Sequence, residues 1–372
     1  MRLPLSLAII VLSSAATPAP AEPEERAPDY EWLWRHAILY RNPGPGPLRQ
    51  LALSGRLQAQ AAWFDTDQGN LDEREWRRFR FGFTADFTPH WAAQLEGEFD
   101  LNESVDDWYQ RLTDAYVRWA PDTATRLTIL KQSAGFTLDG ATSSKKLLTL
   151  ERSVLTDNLW FTAEYFSGVS LETAVEDGWS YKAGIFSADG DPELGSYDAG
   201  YFTLARLGYD WAADIGFKAA SVTLDFVYQK EDADNNTADF SNLASLYGKW
   251  EQGSWGLWTD LSAGRGYADQ SDVWGATLMP FYQWSECLQL VLRYTYISSD
   301  GENGIRPGRY ARDFATDKGD EYREIYGGVN LYLYGHKLKW QTGVEYLDLA
   351  DRSGDSGAVR GWGLSTGLRI YW

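Results

Sequence analysis

The stretch WRRFRFGFTADF, residues 76–87, alternates between two kinds of side chain. Its apolar positions are Phe79, Phe81, Phe83, Ala85 and Phe87, and the residues between them are Arg78, Arg80, Gly82, Thr84 and Asp86. Successive side chains of a β-strand point to opposite faces. The stretch therefore predicts a strand with one apolar face and one charged, polar face.

The same alternation recurs along the rest of the chain. In AAQLEGEFD, residues 92–100, the apolar face is Ala93, Leu95, Gly97 and Phe99, and the polar face is Gln94, Glu96, Glu98 and Asp100. The last stretch, GWGLSTGLRIYW at 361–372, alternates in the same way. The period-2 pattern predicts about sixteen strands, which begin near residues 51, 74, 90, 112, 125, 166, 178, 200, 220, 243, 255, 273, 287, 322, 338 and 361.

The connections between these segments alternate in length. Short turns fall near residues 89, 122, 176, 252 and 335, and longer loops fall near 65–73, 102–111, 133–165, 188–199, 230–242, 264–272, 299–321 and 349–360. Transmembrane barrels have short periplasmic turns, long external loops and an even strand number. A soluble sandwich also alternates, but it needs no single loop class at each end. We therefore predict an all-β fold, a transmembrane antiparallel β-barrel of about 16 strands over residues 51–372.

The first residues have the pattern of an export signal. Arg2 precedes the apolar run LPLSLAIIVL, and Ala19-Pro20-Ala21 is a small-x-small cleavage site. The run is too short for a membrane-spanning helix. We predict a signal peptide at 1–21, followed by a periplasmic N-terminal segment at 22–50 that NPGPGP interrupts before the barrel.

Composition excludes some classes of protein. The net charge is −19, and removal of Arg2 with the signal peptide makes it −20, which argues against a nucleic-acid partner. A single cysteine excludes a disulfide framework within one chain. The 18 Trp and 22 Tyr fit two aromatic girdles at the membrane interfaces. They also fit a soluble β-core or a sugar-binding surface, and the barrel pattern favours the girdles.

The loop at 133–165 is the longest interruption of the strand pattern. Within it, TSSKKLLTLERS at 142–153 spaces its leucines like one face of a short helix, and it carries Lys145, Lys146, Glu151 and Arg152. Long loops in compact folds are usually functional, and a wide pore needs a constriction to select solutes. We predict that this third loop folds inward and brings these four charges to the solute. The alternative is an external loop lying over the rim.

The pore wall opposite this loop is predicted from the polar faces of the first strands. The candidates are Arg78, Arg80, Glu96, Glu98 and Arg118. Anion-selective pores use ladders of Lys and Arg, but here the basic and acidic residues of the polar faces nearly cancel. The arginines therefore fit wall ion pairs better than an anion ladder, although the sequence leaves both open.

Several motifs resemble one known family. They are DERE, RRFRFGF, TDAYVRW, LTILKQ, TSSKKLLTLERS, DNLWF, SDVWGATLMP, ENGIR and YGGVNLYLYGHKLKWQTGVEY. Together they resemble the phosphate-selective porin O and P family over nearly all of the chain after residue 70. The resemblance implies a sixteen-stranded barrel in the bacterial outer membrane, a homotrimer, and an inward third loop. Trp372 at the end of the last strand resembles the signal that the outer-membrane assembly machinery recognises.

The sequence offers no catalytic or metal motif. The histidines His36, His90 and His336 lie far apart, and no nucleophile motif is present, so we expect no enzyme activity, no catalytic residue and no metal ligand. The acidic stretches DQGNLDE near 67 and EDADNNTAD near 231 carry oxygen ligands of the kind that calcium binds, but neither fits the EF-hand spacing. We expect no cofactor, with calcium at these loops as a minor hypothesis.

Taken together, the sequence predicts an outer-membrane porin in contact with lipid and lipopolysaccharide. It would form a water-filled channel for passive diffusion of small hydrophilic solutes and ions. The alternative within the same class is a channel selective for anions or phosphate. A third hypothesis is an exported adhesin or sugar-binding module, which the lipid-facing alternation disfavours.

Overall fold

The computed structural model describes residues 28–44, 46–87, 90–159, 165–175, 177–302, 304–315, 317–352 and 357–372. The predicted signal peptide at 1–21 lies outside these residues. Within them the chain is almost entirely β-sheet, with three short α-helices: α1 (Pro28–Arg35), α2 (Val154–Leu159) and α3 (Ala212–Ile215).

Seventeen strands are formed by the described residues. They are β1 (Ile38–Arg41), β2 (Gln50–Thr66), β3 (Gly69–Asp86), β4 (Trp91–Phe99), β5 (Tyr109–Trp119), β6 (Arg126–Ser133), β7 (Tyr165–Ala174), β8 (Trp179–Ser187), β9 (Tyr201–Asp210), β10 (Ala219–Gln229), β11 (Phe240–Gln252), β12 (Trp255–Gly266), β13 (Val273–Gln283), β14 (Leu288–Ser299), β15 (Glu321–Tyr334), β16 (Leu338–Ala350) and β17 (Val359–Tyr371).

Strands β2–β17 form one closed barrel. Each strand pairs antiparallel with the next, and β17 returns to β2 with Gly361 opposite Thr66 and Tyr371 opposite Arg56. Each of the sixteen predicted segments corresponds to one of these strands, so the predicted fold class is confirmed. Closure matters physically because it leaves no unpaired sheet edge in lipid.

The predicted first external loop at 65–73 is wrong. Strands β2 and β3 continue to Thr66 and Gly69, and only two residues connect them. The hydroxyl of Thr66 accepts hydrogen bonds from the backbone N–H groups of Gln68 (3.2 Å) and Gly69 (3.1 Å). This side chain closes a tight turn, so the polar residues after it remain in the strand ladder.

Apolar side chains are exposed on the outer face of the barrel and charged side chains are buried on its inner face, which is the reverse of a soluble protein. Outward-facing Ile325 and Leu292 are 60% and 59% exposed, whereas inward-facing Lys339 and Glu96 are both 0% exposed. Exposed apolar side chains in a continuous band are the lipid-facing surface of a membrane barrel. No helix among the described residues is long and apolar enough to cross a membrane.

The N-terminal segment packs against the end of the barrel that carries the short turns. Strand β1 pairs with the first residues of β2, beside the end of β17. From α1, the Trp34 indole N–H donates to the backbone oxygen of Tyr371 (2.7 Å), and its ring lies 4.9 Å from that of Tyr334. The assignment of 22–50 to the periplasm remains a prediction, and the described part of it contacts this barrel end.

Candidate functional site

The third external loop, L3, connects β6 to β7 and is described over residues 134–159. The short helix predicted within residues 142–153 is wrong. A single turn, with Lys146 N–H donating to Ser143 O (2.8 Å), precedes an irregular stretch, and helix α2 begins only at Val154. The physical reason is competition, because wall side chains take the carbonyl oxygens that a helix in this stretch would have used.

Inner-face side chains of three adjacent strands hold this irregular stretch. Lys339 on β16 donates to Leu147 O (2.6 Å), Asn330 on β15 to Leu148 O (2.9 Å), and Arg369 on β17 to Leu150 O (3.1 Å). Buried backbone oxygens require such partners where water is excluded. The sequence of the wall therefore fixes the path of the L3 backbone.

The start of L3 is bonded to the opposite side of the barrel. Lys182 on β8 donates to Ala134 O (2.8 Å), and Arg206 on β9 donates to Gly135 O (3.0 Å). The N–H of Leu138 donates to the Asp260 carboxylate on β12 (2.8 Å). L3 thus contacts the polar inner faces of strands on both sides of the barrel.

Wall glycines make room for the apolar side chains of L3. A Cβ on Gly367 would lie 3.0 Å from Leu150, one on Gly275 2.7 Å from Leu155, and one on Gly264 3.0 Å from Leu159. Distances this short are rarely or never tolerated between real side chains. At each position a Cβ would lie still closer to the barrel itself, at Ala59 O (2.8 Å), Tyr296 O (2.5 Å) and Phe240 (2.7 Å), so the neighbouring strands and L3 together favour glycine there.

Glu151 ties L3 to the first two barrel strands. Its carboxylate accepts two hydrogen bonds from the Arg77 guanidinium (2.8 and 3.0 Å) and one from Gln60 (3.0 Å). Burial opposes ionisation of Glu151, but the charge and hydrogen bonds of Arg77 outweigh it and hold its pKa well below its usual range. Glu151 is occupied by protein partners and acts as a tether.

The other three predicted loop charges divide into two kinds. Arg152 is buried and donates to the backbone oxygens of Asp139 (2.9 Å) and Thr142 (3.3 Å), so it braces L3 internally. Lys145 is half-buried, with its ammonium 5.1 Å from the centre of the Tyr371 ring. Lys146 is exposed. Of the four predicted loop charges, these two lysines neither tether nor brace L3. We call the side of L3 that carries them the free face.

Three of the five predicted wall residues, Arg80, Glu96 and Glu98, form ion pairs on the inner wall. Arg80 pairs with Glu98 (3.0 Å), which also pairs with Arg111 (2.8 Å). Glu96 on β4 pairs with Arg56 on β2 (3.2 Å), across the intervening strand β3. The charges of Arg80, Glu98 and Arg111 lie on adjacent strands, and this favours their pairing.

The remaining two wall candidates have polar partners. Arg78 donates to the Gln58 amide oxygen (3.1 Å). Arg118 donates to the Thr128 hydroxyl (3.2 Å) and lies over the Tyr116 ring at 4.5 Å. The arrangement follows the wall-pair interpretation for Arg80 and leaves Arg118 without a carboxylate partner among the described residues.

Arg77 is a site residue that sequence reasoning missed. The register of β3 against β2 shifts so that Arg78 opposes Gln58 and Trp76 opposes Ala59. Arg77 is the extra residue of a β-bulge, which re-aims its side chain inward beside that of Arg78. The signal was present in the sequence, since outward Trp76 and Phe79 are three residues apart rather than two or four.

Wall lysines differ from wall arginines in their partners. Arg206 pairs with Asp225 (2.6 Å) and Arg293 with Glu324 (2.8 Å). In the described part of the chain, neither Lys182 nor Lys249 pairs with a carboxylate, and the Lys249 ammonium lies 4.1 Å from the Trp258 ring. Within the described residues, the wall cations without a carboxylate partner thus include these two ammonium groups and the Arg118 guanidinium.

The inner wall becomes apolar near the external loops. Buried side chains there form one cluster, which we call the outer cluster, with α2 and with the seventh external loop, L7, at 300–320 between β14 and β15. Its members include Phe64, Phe166, Phe202, Phe240, Ile297 and Leu347 from the strands, Val154, Leu155 and Leu159 from α2, and Ile305, Ala311 and Ala315 from L7. The alternation of the sequence predicted a polar inner face along the whole barrel. The half near the external loops departs from this prediction.

Among the described residues, no group of side chains is arranged to bind a metal ion. No three His, Cys, Asp or Glu side chains in those ranges converge as ligands. In the first acidic stretch, Asp67 lies 3.8 Å from Arg360 instead. In the second, Asp232 lies 3.9 Å from Lys230.

Comparison with known proteins agrees with this architecture. The family model described as "Phosphate-selective porin O and P" matches residues 51–276. No curated protein matches the sequence significantly.

Solved structures of porins resemble the fold. An anion-selective porin from Comamonas acidovorans is 14% identical, with 87% of this chain and 99% of that chain covered at a TM-score of 0.63. OmpF of Salmonella typhi, in complex with daunomycin, is 13% identical, with 87% of this chain and 98% of that chain covered at a TM-score of 0.61. OmpT of Vibrio cholerae is 14% identical, with 90% of this chain and 100% of that chain covered at a TM-score of 0.55. At these identities the likeness is one of fold.

A closed sixteen-stranded barrel with an apolar outer band and a charged inner wall defines the class of outer-membrane channel proteins, the porins. The family match covers most of the barrel. The chain belongs to the phosphate-selective porin O and P family, and it is a channel of the bacterial outer membrane.

Proposed function

We propose that the protein is a passive diffusion channel in which L3 lies inside the lumen and narrows it for small hydrophilic solutes and ions. The observation that carries this proposal is the hydrogen bonding of L3 to inner-face residues on both sides of the barrel, Lys182 on one and Lys339 on the other. A loop lying over the rim would remove these carbonyl acceptors from both ammonium groups, and that of Lys339 is fully buried.

The solute would meet the free face of L3 and the facing wall. Lys145 and Lys146 lie on that face, whereas Glu151 and Arg152 hold the loop in place. Because Arg80, Arg206 and Arg293 are neutralised by carboxylates, the wall offers no continuous arginine ladder. We therefore expect a general channel with a modest ion preference.

A channel selective for anions or phosphate is the second candidate. It is favoured by the ammonium groups of Lys145, Lys182 and Lys249, which lack carboxylate partners within the described residues. The phosphate-selective family and the anion-selective Comamonas porin of similar fold point the same way. These lysines would attract anions, although they do not form the spaced rings that strong selectivity requires.

The assembly would contain three copies embedded in outer-membrane lipid and lipopolysaccharide. Support comes from the exposed apolar band and from the Vibrio cholerae OmpT structure described as a trimer form. Trp372 would serve as the signal for the outer-membrane assembly machinery. We propose no catalytic role for any residue.

Single-channel recording in planar bilayers tests the proposal. Ohmic steps in triplets, weak ion preference and no block by phosphate are the expected result. Strong anion preference with phosphate block would support the second candidate. Absence of channels from folded, heat-modifiable protein would refute both.

A further inference from the structure

The outer cluster leaves one sector of the barrel free. Among the described residues, β4, β5 and β6 contribute no side chain to it. The inner faces of these strands instead carry Glu98, Arg111 and Asp114. An apolar packed core excludes water and ions, whereas the side chains of Arg111 and Glu98 remain 31% and 14% exposed.

L3 and L7 are joined by a reciprocal pair of hydrogen bonds. The Asn158 side-chain amide donates to Arg306 O (3.1 Å), and Arg306 N–H donates to Asn158 Oδ1 (2.8 Å). The Arg306 guanidinium also donates to Asp157 O (3.0 Å). We call this contact the clasp. One asparagine side chain thus engages both backbone groups of one residue on the other loop.

L7 is anchored on its far side to the first barrel strands. Arg309 pairs with Glu75 on β3 (2.6 Å), and the Tyr310 hydroxyl bonds both Glu75 and Gln60. At its base, Ile305 and Gly319 exchange two backbone hydrogen bonds of 2.8 Å. L7 is therefore a closed loop that reaches from β14 across to β2 and β3.

The sector along β4–β6 is itself spanned by a hydrogen bond from Arg80 on β3 to the Tyr165 hydroxyl on β7 (2.6 Å). We propose that L3 and L7 act as one lid over the external half of the lumen, and that Asn158 and Arg306 are positioning residues which set how far this lid covers it. The inference rests on the proposed function, in which L3 lies inside the lumen. Through the clasp, Asn158 holds the apolar side of L7 against α2. Loss of the clasp lets L7 move away and water enter the outer cluster.

The test compares Asn158→Ala with Asn235→Ala in planar bilayers. Asn235 is a matched control because its side chain bonds the fifth and sixth external loops, at Asp232 and Tyr267. Ile305→Ser is a second variant, since it introduces a hydroxyl at a buried apolar position of L7. Conductance is recorded with polyethylene glycols of graded mass added at the external end only, and heat-modifiable migration verifies folding.

We expect Asn158→Ala and Ile305→Ser to raise conductance by about a factor of two, as for a widened hydrophobic constriction. Both should also admit larger polyethylene glycols from the external end, whereas Asn235→Ala should match the wild type. If both variants fold and keep the wild-type conductance and the wild-type size limit for polyethylene glycol, the lid proposal is wrong. A wild-type protein that forms no channel would refute the proposed function instead, so the two failures are distinguishable.

Discussion

The two halves of the lumen differ in the chemistry of their inner walls on strands of one continuous barrel. Toward the short turns, the inner wall carries ion pairs such as Arg56–Glu96 beside a smaller apolar cluster that includes Trp258, Phe281 and Leu148 of L3. Toward the external loops, the same faces carry Phe166, Phe202 and other members of the outer cluster. Both halves alternate with an apolar outer face, so lipid imposes the same condition on each.

This difference shows that the chemistry of the inner face depends on the groups that it contacts. A charged side chain costs little free energy where it meets water or an opposite charge, and much more where it packs against an apolar loop. In the external half, α2 and L7 cover the wall, so apolar side chains bury there without penalty. The loops that contact the wall therefore determine its chemistry, and changes to these loops should affect the two halves differently.

The largest effect is expected from Glu151→Gln. The variant leaves the Arg77 guanidinium without its carboxylate, which costs roughly 3 kcal/mol in buried pairs of this kind. L3 should detach from β2 and β3, and single-channel conductance should increase because the constriction widens. Limited proteolysis of L3, followed by gel mobility of the intact barrel, reports detachment independently of conductance.

Glu103→Gln is the matched control, since Glu103 is exposed on the second external loop. It should leave both conductance and proteolysis unchanged. If Glu151→Gln conducts like the wild type and resists protease equally, then Glu151 is not the tether of L3. The polar half would then hold the loop through the carbonyl contacts alone.

A smaller effect is expected when a wall glycine of the apolar half is filled. In Gly264→Ala the new Cβ would lie 2.7 Å from Phe240 and 3.0 Å from Leu159. Overpacking of this kind costs about 1–3 kcal/mol. Thermal unfolding in detergent should show a lower midpoint, with little change in ion selectivity because no charge moves.

Gly327→Ala is the control, because its Cβ would make only an ordinary contact at 3.6 Å to Leu292. The combination Gly264→Ala with Leu159→Ala should recover part of the loss relative to the sum of the single variants, since the second change vacates the contested space. Strict additivity would show that the closer contacts with Phe240 (2.7 Å) and Leu243 (2.9 Å), and not the contact with Leu159, account for the loss.

Period-2 alternation was sufficient to predict the sixteen barrel strands. Alternation reports the lipid contact of every second residue, and that contact is uniform around the barrel. It failed where geometry departs from strict alternation, at the bulge of Arg77 and in the tight turn at Thr66. Both departures depend on single residues rather than on a pattern.

The candidate site was harder to predict from the sequence. L3 was identified by its length and charge, but the roles of its residues depend on partners on distant strands, such as Arg77 for the Glu151 carboxylate and Arg293 for the Glu151 backbone oxygen (2.9 Å). L7 gave no periodic signal, although its contribution to the outer cluster is large. Tertiary partners of irregular loops leave no local pattern to detect.

A still smaller effect concerns the charge on the free face of L3. Burial and, secondarily, the Arg56 guanidinium lower the pKa of Lys145 to about 8, against the opposing influence of Glu96 and Asp114. Lys145 is therefore charged below this pH and neutral above it. As the pH rises from 7 to 9, the anion-over-cation permeability ratio from reversal potentials should fall by about a factor of two.

Lys145→Gln should remove this pH step and hold the ratio at its lower value throughout. The neighbouring exposed Lys146, changed to Gln, is the control and should keep the step. A pH step that persists in Lys145→Gln would assign the titration to another group and leave the free face without a role in selectivity.

The smallest effect is expected from calcium. Binding to the folded barrel alone would raise its melting temperature by mass action, but in the described ranges no three acidic side chains converge on one point. In the external half the acidic stretches lie near cations, Asp67 by Arg360 and Asp232 by Lys230. We therefore expect chelation of calcium to leave the thermal midpoint unchanged. A drop that added calcium restores, and that Asp67→Asn or Asp232→Asn abolishes, would show that a cation from solution also stabilises the external half.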